Sequence, residues 1–401
     1  MEGKRDSTRY LGAVFLSNGC AAVAFAILSP TLVANLARSH TSAFLIALTT
    51  SIWALPNVVA GPLYSRLIAR FDPRLSLRAG VLCSIGAFLL FPVFPNVWAW
   101  IALQLVGGAV LGHFFLVMEA WLNHFSSESM RARMTAIYGI LPAVGYAIGA
   151  AIYSGIGFTG SAPFVAAAVA MTAGLVPLLL LRSAAGDVIV GGEKRLWATA
   201  RVVPLLLAIS VIAGMLEIVP WGVYQIYALE SGFPVREAGW ILPAFFAGQI
   251  LLTYPIGWLA DHVGRRTLLI CSGFTSALLM GALYFFGRTP AIWAIVFVTG
   301  GAFNAVYTLG LAAVGQRFES KALVSAGAAV MTAYSVGAVT GPPLTGALMD
   351  EFGPRALPIV LGVAAVAVAL LAVAARSEWA PANTLAAARL QGAQGARGEV
   401  V

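Results

Sequence analysis

This sequence predicts an all-α membrane protein, with twelve transmembrane helices in two pseudo-symmetric six-helix bundles and both termini in the cytoplasm. Three observations carry that expectation. The composition is too apolar for water, apolar stretches recur from end to end, and the second half of the chain repeats the first.

Of 401 residues, 60% are hydrophobic and only 10% are charged, whereas a soluble domain carries about a quarter charged residues. So few charges cannot cover a water-facing surface. Apolar runs lie near 10–34, 43–65, 76–94, 97–122, 135–157 and 162–181, and again near 202–228, 237–260, 267–286, 290–314, 324–348 and 356–375. Each is about 20 residues or more, enough to cross a hydrocarbon layer roughly 30 Å thick. Many contain Gly or Pro, which helices in lipid tolerate better than soluble ones.

The charges set the orientation. With the N-terminus inside, only Arg38, Arg236, Arg288 and Arg355 of the 24 Lys and Arg residues fall outside, the asymmetry of the positive-inside rule. The net charge of +8 is then a topology signal, and no nucleic-acid partner is expected. Cys20, Cys83 and Cys271 fall within apolar runs, so no disulfide framework is indicated. The first apolar run has no convincing small-residue cleavage site and reads as helix 1, not as a removable signal peptide.

GPLYSRLIAR begins at Gly61 and GWLADHVGRR at Gly257, an offset of 196 residues. The same offset relates Arg70 to Arg266, Tyr138 to Tyr334 and Gly145 to Gly341. One such pair means little in so biased a composition; several at one offset predict homologous halves at 1–181 and 202–375. A polar cytoplasmic linker is expected at 182–201, and a disordered Ala/Gly/Gln-rich tail at 376–401. Parallel repeats of this kind are associated with alternating access around a mid-membrane site.

In GWLADHVGRR, Gly257, Leu259, Asp261, Gly264, Arg265 and Arg266 resemble the signature loop of the Major Facilitator Superfamily. In that family the loop latches the cytoplasmic side of the outward-open state. Gly257 permits close helix approach, Asp261 can cap or pair with a neighbouring helix end, and the arginines can bind carboxylates or lipid phosphates. A tight turn with inward-facing positive charge is the plainer reading. The first copy keeps Gly61, Arg66 and Arg70 but has Ser65 for the acid and Ile68 for the second glycine, so its latch is expected to be weaker or differently wired. GAVTGPPLTG, with Gly337, Gly341, Pro342 and Pro343, resembles the family's glycine–proline pattern on helix 11. Its counterpart on helix 5 has Tyr146 where a proline is expected. MEAWLN at 118–123 with Arg131, Arg133 and Tyr138, GQILLTYPIGWLAD at 248–261 and AVYTLGLA at 305–312 are similar to the bacterial YcaD-like branch. Gln104 stands before Gly107 where many members have an arginine, which leaves proton coupling by that route unsupported.

Ionisable and amide side chains at bilayer depth are costly and usually face a cavity or a partner. Glu217 lies about fifteen residues into helix 7, with no basic residue near it in sequence. Desolvation disfavours the charged carboxyl, and a group that exchanges a proton there suits proton-coupled transport; a permanently neutral hydrogen-bond donor is the bland alternative. His113 on helix 4 is a second titratable candidate, with a structural histidine weighed equally against it. With Asn18 and Asn304 these residues come from helices 1, 4, 7 and 10, the cavity-lining helices of the resembled family. Gln249 and Asn57 are secondary candidates, and Trp53, Tyr146, Trp221, Tyr224 and Tyr307 are candidate aromatic walls. Glu119, at the inner end of helix 4, is expected to pair with Arg70, Arg131 or Arg133 as part of a gate.

The resemblance implies a secondary active transporter, not an enzyme, moving a small organic molecule across the inner (plasma) membrane. Protons are the expected coupling ion, with Glu217 and His113 as protonatable sites. One acid among few basic cavity candidates favours a neutral, cationic or amphipathic substrate over a multivalent anion. An uncoupled facilitator and a transporter-like sensor or scaffold are the alternatives. Membrane lipids are expected partners, a monomer suffices, and no cofactor is called for: there is no GxxxxGK[ST] phosphate loop and no metal-ligand spacing.

Overall fold

A computed structural model describes residues 2–59, 72–126, 130–157, 160–181, 202–318 and 320–379, and these are helical with no strand among them. The helices are α1 (Glu2–Arg38), α2 (Ala43–Ser51, continued by a 3-10 turn Ile52–Ala54 and Leu55–Val59), α3 (Pro73–Leu90), α4 (Val97–Phe125), α5 (Arg131–Ile156) and α6 (Ala162–Leu179). After the linker come α7 (Pro204–Glu230), a one-turn helix Val235–Ala238, α8 (Ile241–Val263), α9 (Arg265–Phe286), α10 (Ala291–Arg317), α11 (Ser320–Phe352) and α12 (Ala356–Ala374).

Among the described residues, nine helices are long and apolar enough to cross a membrane. The described part of α2 is short, α3 carries Arg74 and Arg78 in its first turns, and α11 is rich in Gly, Ser and Thr. The exterior is apolar, with Leu278, Phe285 and Val363 turned outward, as a lipid-facing surface requires.

Local chemistry sets the helix ends. The Asp72 carboxylate accepts from the Arg74 amide ahead of Pro73 at the first helical position, and Asn96 does the same for the Trp98 amide at the start of α4. A hydrogen bond from the Arg74 guanidinium holds the Asp72 carboxyl below its usual range. Between α8 and α9 the chain turns at Gly264 with φ of 93°, a left-handed geometry that favours glycine.

Packing repeats between the halves. Gly145 of α5 sits against Gly19 of α1, and Gly341 of α11 sits against Met215 of α7. Both members of the first pair lie 196 positions before those of the second, so the sequence repeat reappears as one helix crossing used twice. An arginine near the start of the third helix of each half caps the end of the sixth. Arg78 donates to the carbonyls of Leu178 and Leu181, and Arg266 to those of Ala372 and Val373 at 3.0 and 2.8 Å.

The halves meet most closely away from the face that carries the chain termini. There the Asp350 carboxylate at the end of α11 accepts from the amides of Ala43 and Phe44, at 2.7 and 2.9 Å, where α2 begins. Ser29 of α1 donates to the Trp221 carbonyl of α7 at 2.9 Å, and both Tyr153 and Gln225 reach the Pro30 carbonyl. On the terminal face, α4 and α5 form no comparable packing with α10 and α11 among the described residues. The bundle is closed at one end.

Part of the expected disordered tail is ordered. A 3-10 turn, Ala375–Trp379, brings Glu378 to only 6% exposure, where its carboxylate accepts from the amides of Leu205 and Leu206 at the start of α7. A negative charge on helix amides that would otherwise lack partners explains the fixed turn. The linker 182–201 and the rest of the tail lie outside the described residues, as do Gly61, Arg66 and Arg70.

Two outcomes test this packing. A Cβ at Gly337 would run into the Val211 carbonyl of α7, whereas one at Gly139 meets open space. Gly337→Val should therefore destabilise by about 1–3 kcal/mol or more, read as a lower melting temperature in detergent, while Gly139→Ala leaves it unchanged. Asp350→Ala removes the carboxylate from the α2 amides and should weaken the closed end by on the order of 1 kcal/mol at this exposed position. Spin labels on the outer ends of α2 and α11 should then report longer separations, and an unchanged distance distribution would count against the contact.

Candidate functional site between the two halves

Glu217 is the midpoint of α7, and the helix turns it toward the seam between the halves. Its Oε1 accepts from Gln249 Nε2 of α8 at 3.0 Å. Tyr334 of α11, Tyr146 of α5 and Tyr307 of α10 lie within electrostatic reach of the carboxyl. Its other oxygen, Oε2, is buried without a hydrogen-bond partner. No Lys, Arg or His among the described residues interacts with this carboxyl.

One turn further along α7, toward the closed end, Trp221 enters an aromatic cluster drawn from both halves. Its ring centroid lies 5.0 Å from Tyr146, 5.4 Å from Phe246 and 6.1 Å from Trp53, and Tyr146 stacks on Phe246 at 4.3 Å. Tyr307 and Tyr334 pair at 4.9 Å. Asn304, the midpoint of α10, donates to Thr253 Oγ1 at 2.8 Å. Glu217, Trp221, Trp53, Gln249, Asn304 and Tyr307 all keep intermediate exposure although they sit deep in the bundle. Their partial exposure marks the open space left between the halves.

The structure separates the remaining sequence candidates. His113 is 5% exposed and its Nε2 pairs with Ser76 Oγ of α3 at 2.9 Å, so it faces the core of its own half and not the seam. Asn18 is 1% exposed and donates to the Tyr138 carbonyl, joining α1 to α5. Tyr224 is fully buried and packs edge-on against Phe245, inside the C-terminal half. All three stand on helices buried on several faces, where depth alone does not decide direction. Gln104 donates to the Thr49 carbonyl of α2, another contact within one half. Asn57 lies half-buried on the last turn of α2 described here.

Among the described residues, the loop after α8 makes no contact across the bundle. Asp261 is exposed and, among the described residues, pairs with Arg265 one turn away at 3.9 Å. Gly257, expected to allow a close helix approach, has open space beside it. Arg266 is committed to the carbonyls at the end of α12, and Pro342 is buried within α11. Glu119 lies exposed on α4 within electrostatic reach of Tyr138 and Tyr307. The side chains of Arg131 and Arg133 lie outside the described residues.

Sequence reasoning missed Phe246, and saw Tyr334 only as a repeat position. Phe246 carried no signal among many apolar residues, whereas Tyr334 sits near the middle of a long helix where a hydroxyl already called for a partner.

Comparisons with known proteins agree with this architecture. The family described as Major Facilitator Superfamily matches residues 14–219 and 206–393. An uncharacterized MFS-type transporter, YfkF of Bacillus subtilis (strain 168), is 28% identical over 317 residues, covering 76% of this chain and 79% of its own. YcaD of Escherichia fergusonii, an uncharacterized MFS-type transporter too, is 23% identical over 343 residues, covering 84% and 88%. The crystal structure of the nucleoside transporter NupG superposes with a TM-score of 0.75 at 13% identity, covering 92% of this chain and 99% of that one. The likeness to NupG is one of fold. Transporters of this kind bind small molecules within a membrane and are not enzymes. The chain is an integral membrane protein that belongs to the Major Facilitator Superfamily.

Proposed function

We propose that this protein is a proton-coupled secondary active transporter that moves a small organic molecule by alternating access, with Glu217 as the protonatable site. The carrying observation is the half-satisfied Glu217 carboxyl in the seam, held by Gln249 and bare on Oε2. A carboxyl withdrawn from water without a counter-charge is stable either neutral or paired with something that arrives. Alternation between those two conditions is what coupling requires.

In this reading, twelve spans form two homologous halves, 1–181 and 202–375. The terminal face is cytoplasmic, the membrane is the inner (plasma) membrane, and the conformation described opens inward. Glu217, Gln249, Asn304, Tyr307, Trp53, Tyr146 and Trp221 line the substrate path. His113, Asn18 and Tyr224 hold the helices around it, and the loop at Gly257–Arg266 engages when the cytoplasmic side closes. An uncoupled facilitator remains the second reading, favoured by Gln104 where many relatives of the resembled family have an arginine.

Thermal-shift screening of purified protein against metabolites and nucleosides, above and below neutral pH, identifies transportable molecules by ligand stabilisation. In proteoliposomes, uptake of such a molecule should follow an imposed pH gradient in the native chain. Glu217→Gln should abolish that response while the protein still folds. Gradient-driven flux that survives the substitution would remove Glu217 as the coupling site, and flux indifferent to both pH and sodium gradients in the native chain would support the facilitator.

A further inference from the structure

We propose that the seam site takes a monovalent organic cation with an apolar, preferably aromatic, body. The inference rests on the reading that Glu217 faces the substrate path. It adds the chemical class of the ligand, which coupling alone does not specify.

Two features converge on that class. The first is an acceptor-only vacancy: Glu217 Oε2 is buried and has no partner, and Oε1 is satisfied only by the neutral amide of Gln249. The groups facing this carboxyl are Gln249 on α8, Tyr334 on α11, Tyr307 on α10 and Tyr146 on α5, and none is a cation. An ionised carboxyl there has no protein counter-charge, so the missing positive charge has to come from the ligand. The second is the aromatic cluster one turn away. Trp221 lies 5.0–6.1 Å from the rings of Tyr146, Phe246 and Trp53, and aromatic faces attract a positive charge that has shed its water. The indole nitrogen of Trp221 is also buried without a partner, so this wall is not saturated by the protein itself. An anion would meet the carboxyl with no arginine or lysine to offset it. A neutral donor would fill the hydrogen-bond vacancy but bring no charge to offset the carboxylate.

Three probes separate charge from size, tested on the purified full-length protein in nanodiscs: tetraphenylphosphonium and tetraphenylborate, of nearly equal shape and opposite charge, and the smaller neutral triphenylphosphine oxide. Tetraphenylphosphonium should bind saturably and at least about tenfold more tightly than the neutral and anionic probes. Glu217→Gln should erase that preference, and Trp221→Leu should weaken the cation by about tenfold while sparing the thermal stability of the protein. Should Glu217→Gln fail to fold, the native protein's pH dependence decides: the preference for the cation should fade as the carboxyl is protonated in acid, and a preference indifferent to pH would overturn the proposal. Equal binding of all three probes, no saturable binding of the cation, or a preference unchanged in Glu217→Gln would overturn the proposal. Cation selectivity without pH-driven flux would refute proton coupling and leave this site standing. PH-driven flux of a neutral molecule, lost in Glu217→Gln, would do the reverse.

Discussion

The arrangement of the seam depends on one constraint: a carboxyl at the midpoint of a membrane helix has to be satisfied by something. Glu217 obtains one hydrogen bond from Gln249 and shares a neighbourhood with Tyr334, and half of its capacity remains unused. In lipid such a deficit costs several kcal/mol if the group is charged, so a fold does not retain it for packing alone. At helix ends the chain places its acids on backbone amides. Glu378 places both oxygens on the amides of α7, and Asp350 places both on the amides of α2. The contrast between those two satisfied acids and Glu217 is the strongest physical argument that the seam awaits a ligand.

Around that acid the fold supplies a rigid frame and a movable seam. Each half is welded internally by glycine-mediated crossings, α1 on α5 and α7 on α11, where backbones approach too closely for larger side chains. Between the halves, close approaches of Gly346 and Gly222 to α2 at the closed end are joined by hydrogen bonds to carbonyls and amides and by a cluster of aromatic rings. Motion of one bundle against the other would have to release that packing as well as the polar contacts.

Much of this was legible in the sequence. Composition and the 196-residue offset read out a helical membrane repeat, and the offset reappears in the pairs Gly145–Gly19 and Gly341–Met215. Glu217, Gln249, Asn304 and the aromatic residues Trp53, Tyr146 and Trp221 stood out because polar or bulky groups are conspicuous in an apolar helix. Direction was less legible. His113, Asn18 and Tyr224 lie at the same depth as the seam residues but point into their own halves, since helices apolar on every side leave no pattern to show which face meets the centre. Long-range partnerships were not legible: Asp350 acts on residues some three hundred positions away in the chain and Glu378 on the start of α7, and neither carries a local motif.

The most direct test of a carboxyl that alternates between proton and cation is the count of protons released when ligand binds. Calorimetric titration of tetraphenylphosphonium into the purified protein, in two buffers of different ionisation enthalpy, gives that count through linkage. The account predicts release approaching about one proton per cation bound in the native chain as the pH is lowered, and none in Glu217→Gln. Binding without proton release at any pH, or release that persists in Glu217→Gln, would contradict it.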